Sequence, residues 1–103
     1  MADPDERGEP DEVTQPSYAR CAEIEASTVG DRVVLYHRTS RSALILNPTG
    51  SRLWERLATP ASSQDLSIAL RERFPQLSDD DALRDVSAFL DELSRHGAIV
   101  PAS

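Results

Sequence analysis

Lysine is absent from this chain of 103 residues, and all eleven basic residues are arginine. We read that as genomic composition rather than mechanism. Only one cysteine is present, Cys21, so no intramolecular disulfide can form. It also offers no zinc-ligand spacing, and His37 and His96 are far apart in sequence, so no metal site is expected. Free cysteine behaves as a small hydrophobe, and Cys21 is expected to be an inert strand residue. No apolar run approaches the roughly 20 residues of a membrane span. The N-terminus lacks the basic-then-apolar order of a signal peptide, so a soluble, cytoplasmic protein is expected. Neither Cys21 nor any serine has a recognisable base beside it for nucleophilic catalysis. Asn47-Pro48-Thr49-Gly50 lacks the glycine spacing and the lysine of a phosphate loop. Asp79, Asp80 and Asp81 are consecutive and point in different directions on a helix. They suit capping and the positive end of the helix dipole, not a metal. These absences point away from an enzyme and from any cofactor.

What is present is unevenly distributed. Residues 1–16 hold six carboxylates against Arg7 alone, a net of −5 out of −7 for the whole chain. That leaves −2 for everything after them. Pro4, Pro10 and Pro16 punctuate the same stretch, and little in it is apolar. Such a segment cannot bury enough surface to offset its ordering entropy, so residues 1–17 are expected to be a disordered acidic tail. Residues 18–101 then form one domain, long enough for a modest core. Clustered positive charge is missing, which argues against nucleic acid as a partner.

Within the domain, residues 19–26 alternate loosely and favour a strand. Gly30-Asp31 reads as a turn. Residues 32–38, RVVLYHR, are β-branched and aromatic and give the clearest strand. Thr39-Ser40-Arg41 makes a short hairpin connection to a third strand, Ser42 to Leu46. Three helices follow. The first runs from about Pro48 to Ala58, with Leu53, Trp54 and Leu57 on one face. The second starts at a Ser62 or Ser63 cap and runs to about Arg73. The third is capped by Ser78, with Asp81 at capping-box distance. Its buried stripe is Leu83, Val86, Phe89, Leu90 and Leu93, and Gly97 supplies a left-handed stop. The expected fold is therefore α+β and winged-helix-like: a three-stranded antiparallel meander followed by three helices.

The junction between the third strand and the first helix is the most informative stretch. Asn47 is a strong N-cap, and Pro48 at the first helical position loses nothing. The strand ahead of it, Ala43, Leu44, Ile45 and Leu46, is apolar on both faces and has few means of hiding its edge. An open edge beside helices is a place to add an extended peptide. Its backbone would give affinity, and alternate side chains specificity. Arg38 and Arg41 flank the hairpin turn, where they can act as a clamp for a carboxylate of the peptide.

The segments LNPTGSRLWERL, ERFP and DVSAFLDELSRHGAIV resemble the PqqD family of peptide modification chaperones. The similarity covers roughly Arg32 to Val100. Leu46-Asn47, Gly50, Trp54, Asp85-Val86, Phe89-Leu90 and Gly97 carry it by order and spacing. The resemblance implies binding of the leader segment of a ribosomally made precursor peptide. The leader would lie as an added antiparallel strand along the third strand, in a groove shared with the third helix. It would be presented to a separate modifying enzyme, either a radical SAM enzyme or a leader peptidase of the lasso-peptide kind. On the third helix the expected contacts are Leu83, Val86, Ser87 and Leu90, although Val86 and Leu90 fit a plain core stripe equally well. The first strand matches weakly, and the acidic extension lies outside the family pattern.

Two other functions stay open on sequence. One is a winged-helix DNA-binding module, against which the third helix sets many carboxylates and only two arginines. The other is an adaptor that uses the same edge to hold a folded protein.

Overall fold

The computed structural model describes residues 16–102. The expected acidic tail falls almost wholly outside them. Two small antiparallel sheets and three helices make up the domain. In chain order the elements are β1 (Ser17–Arg20), β2 (Ile24–Val29), β3 (Arg32–His37), β4 (Ser42–Ile45), α1 (Pro48–Arg56), β5 (Ala61–Ser62), α2 (Ser63–Arg73), α3 (Asp79–His96) and β6 (Ile99–Pro101). The meander is β2-β3-β4, as the two turn signals imply. In it Ile24 pairs with His37, and Leu35 with both Ala26 and Leu44.

One expectation is corrected. Residues 19–26 are not one strand but parts of two, in different sheets. The break lies at Cys21, whose N–H donates to the Ala98 carbonyl while its own carbonyl accepts from the Ile24 N–H. Those two bonds turn the chain from one sheet into the other. Cys21 therefore sits in a connection, half-buried and free, and not in a strand. The second sheet has the order β5-β1-β6 and gathers the two ends of the domain with the α1–α2 connection. Nothing in the two- and three-residue runs of β5 and β6 announces a strand.

The helices follow their caps. The Ser62 hydroxyl accepts from the Asp65 N–H, and the Asp65 carboxylate accepts from the Ser62 N–H, a complete capping box. Ser78 caps α3 by accepting from the Asp81 N–H, but the Asp81 carboxylate pairs with Arg84 instead of closing a box. Gly97 ends α3 at φ 75°, a left-handed conformation that costs a side-chain-bearing residue energy. The core lies between the β3–β4 face and the helices. Leu35, Leu53, Leu57, Leu66, Leu70, Val86 and Leu93 are its largest fully buried side chains. Trp54 joins them, as its neighbours Leu53 and Leu57 imply.

Candidate peptide-binding edge and groove

The site starts from the turn between β4 and α1. The Asn47 side chain accepts from the Gly50 N–H at 2.7 Å, and Pro48 opens the helix. That cap swings α1 directly under the end of β4. Gly50 is buried there, and a side chain on it would sit 3.6 Å from the Phe89 ring of α3 and 3.1 Å from the Asn47 oxygen. The small residue lets α1 and α3 approach each other beside the strand end.

Ser51, one position on, finishes the sheet. Its hydroxyl accepts from the Val33 N–H at 2.9 Å, inside the protein. The Leu46 N–H donates to the Val33 carbonyl. That bond fixes the parity of the whole β3–β4 ladder. Hydrogen-bonded pairs alternate along an antiparallel pair, so with the observed register Leu44 and Ser42 face β3 with their backbone groups. Ala43 and Ile45 point theirs the other way, to the free edge of the sheet. No described strand pairs with β4 on that side.

Side chains divide differently. Leu46 is buried in the core and Leu44 packs against it, while Ile45 is 62% exposed and Ala43 is exposed. A groove of about 290 Å³ begins where β4 ends. Ile45, Leu46, Asn47, Gly50 and Leu53 line one wall, and Arg32 stands at its β3 side. The other wall is α3, through Asp85, Ala88, Phe89 and Glu92.

The four helix residues expected here are placed otherwise. Val86 and Leu90 belong to the core, at 1% and 8% exposure. Leu83 is exposed on another face, lining a separate hollow with Ser67, Ile68 and Arg71. Ser87 is exposed and outside the groove lining. The groove stripe 85-88-89-92 lies on the face of α3 next to the core stripe 82-86-89-93, and Phe89 serves both. Apolarity identifies the core stripe and misses its neighbour, which is half charged. Arg38 is held by β2, pairing with Glu25 at 3.1 Å and donating to the Ala22 carbonyl. Arg41 is exposed in the hairpin with φ 62°. Both stand at the Ser42 end of β4, opposite the groove. Among the described residues no group of three or more His, Cys, Asp or Glu is placed to hold a metal.

Residues 32–99 match the family described as Coenzyme PQQ synthesis protein D (PqqD). The chain belongs to the PqqD family. The match takes in β3, the open strand β4 and all three helices, so both walls of the groove are PqqD-family structure. Two solved structures share the fold. One is TbiB1 in complex with the TbiA(beta) leader peptide, 20% identical, with a TM-score of 0.74. The other is lasso peptide synthetase B1 complexed with the leader peptide, 24% identical, with a TM-score of 0.69. Each comparison covers 82% of this chain and 98% of the other. No curated protein matches the PqqD-family chain.

Proposed function

We propose that this protein is a non-catalytic recognition element that binds the leader segment of a ribosomally synthesised precursor peptide. The leader adds as a strand to β4, and a separate modifying enzyme, a radical SAM enzyme or a leader peptidase, acts on the peptide so held. The observation that carries this reading is the open edge at Ala43 and Ile45, whose backbone donors and acceptors face outward beside a groove. Strand addition uses such groups for affinity and nearby hollows for side-chain choice. Membership of the PqqD family supports it, and so do the two leader-bound proteins of the same fold. No helix among the described residues is long and apolar enough to cross a membrane, and we assign the protein to the cytoplasm with its precursor.

The test is a titration of labelled peptides from small reading frames encoded nearby, followed by fluorescence anisotropy. One peptide's N-terminal half is expected to bind saturably, at micromolar strength or tighter, on the order of −8 kcal/mol. Failure of every candidate with a folded domain would overturn leader recognition in favour of a folded protein partner.

A further inference from the structure

Along its groove face α3 reads acid, small, aromatic, acid: Asp85, Ala88, Phe89, Glu92. Of the six carboxylates on this helix, Asp85 and Glu92 are the two that line the groove. Asp80 and Asp91, like them, have no ion pair with a described residue but lie outside it. Asp79 is paired with Arg71, and Asp81 with Arg84. Asp85 and Glu92 form no ion pair with any described residue, Arg32 across the groove included. A half-buried aspartate and an exposed glutamate thus bracket an apolar seat made by Ala88 and Phe89, with the open strand edge opposite. They are seven residues apart on one face, about 10 Å along the helix.

Resting on the strand-addition reading, we infer that this groove selects a leader segment carrying a lysine or arginine next to an apolar anchor on the same face of the added strand. The apolar side chain sits against Phe89 and Ala88, and the basic one meets Asp85 or Glu92. Side chains on one face of a strand recur every second residue, about 6.6 Å apart. For an added strand that runs along α3 with its anchor on Phe89, the next same-face side chain on either side falls beside one of the carboxylates, which lie about 4.5–6 Å along the helix from Phe89. Lysine and arginine span the remaining distance with apolar stems that suit the groove wall. An acidic side chain at the same place meets like charge in a partly desolvated hollow, which disfavours it. Arg32 does not cancel this preference, because it stands on the β3 side of the groove and contacts neither carboxylate. It gives the groove a polarity, acidic on the helix wall and basic on the strand wall.

The test uses the full chain and a displayed library of random 15-residue peptides. Binders are sequenced, and representative peptides are synthesised and titrated. Enrichment of Lys or Arg two residues from an apolar residue is expected. For such a peptide, whichever of Asp85→Asn and Glu92→Gln removes the carboxylate its basic side chain meets is expected to weaken binding about two- to fivefold, and the double variant to weaken every such peptide. Added salt is expected to weaken binding to the unaltered chain. Selection on the doubly reversed chain, Asp85→Lys with Glu92→Lys, is expected to exchange the basic preference for an acidic one. Peptides that bind, are lost on Ile45→Pro, and carry no basic bias would overturn the charge inference alone. So would unchanged affinity in the Asn/Gln double variant. No enriched peptide on a correctly folded chain would overturn strand addition itself, and this inference with it.

Discussion

Ser51 replaces a rung of the sheet. At the end of the β3–β4 ladder the Val33 N–H has a side-chain oxygen as its acceptor, supplied from the first turn of α1. Ser51 is itself 3% exposed, so water has no ready access to the vacated donor if the hydroxyl is removed. Ser51→Ala is expected to destabilise the domain by about 1–3 kcal/mol, the cost of an unsatisfied buried polar group. Chemical denaturation checks it, and a change below 0.5 kcal/mol, as an order of magnitude, would mean that the Val33 N–H finds another partner. Arg20 makes a similar link from the other sheet. Its guanidinium lies 4.5 Å from the centroid of the Trp54 ring and donates to the Trp54 carbonyl near the end of α1. Although the residue as a whole is exposed, burial of the guanidinium lowers its pKa. Arg20→Ala is expected to cost about 1–2 kcal/mol, from the cation–π contact and the charge-assisted bond together. Lysine should recover less than half of it, because its ammonium cannot stack flat on the ring. Full recovery by lysine in a thermal melt would reduce Arg20 to a bare charge. Neither link can be read from sequence. Both join residues on different elements, and a serine after Gly50 or an arginine before Cys21 carries no pattern of its own.

At the scale of the element, β4 has one satisfied side and one open side, and adjacent residues belong to opposite sides. That alternation makes a sharp contrast. The Leu44 N–H donates into the ladder with β3, so Leu44→Pro removes a sheet bond and is expected to destabilise the fold by at least ~2 kcal/mol. The Ile45 N–H faces outward, where proline is tolerated in an edge strand. Ile45→Pro is therefore expected to leave most of the stability intact and to weaken leader binding at least tenfold, a figure of about 1.4 kcal/mol for one lost backbone bond. Melting curves and anisotropy on the two variants decide it. Equal affinity for Ile45→Pro and the unaltered chain would show that residue 45 does not donate to the peptide. The strand, its cap and its open edge were legible from Ser42 to Pro48 because local rules decide them: alternation, a capping asparagine and a first-turn proline. The helix wall was legible only in part. Val86 and Leu90 have the spacing of α3's apolar stripe and do lie in the core. Asp85 and Glu92 look like any solvated helix surface until β4 is set opposite them.

The whole molecule is less local still. The family match begins at residue 32, yet β1 and β2 come before it, and β1 is the central strand of its sheet. β1 pairs Ser17 and Tyr18 with the α1–α2 connection, and Tyr18, Ala19 and Arg20 with the strand that follows α3. It thereby ties the two ends of the helical unit together, and we expect this to help hold the two walls of the groove at their spacing. Four residues with no strong strand pattern do this, which is why the second sheet escaped the sequence: its pairing is non-local, and its strands are as short as two residues. The consequence is measurable. Deleting residues 1–22 removes β1, the Arg20 clamp on Trp54 and the Cys21 bond to Ala98, and leaves the β5 and β6 edges unpaired. It retains every residue that the family comparison matches. If residues 32–99 were self-sufficient, the truncated chain would melt like the full one. We expect instead a loss of several kcal/mol, given about 1 kcal/mol for each of the lost hydrogen bonds and the packing of Tyr18 on the core. A domain of this size holds only ~5–15 kcal/mol in reserve. Amide hydrogen exchange should locate the loss, with protection falling first in β6 and the C-terminal turn of α3, while β3 and β4 stay protected longest. Uniform loss across both sheets would mean that the domain folds as one unit. Unchanged exchange in β6 would remove β1 from the list of groove supports.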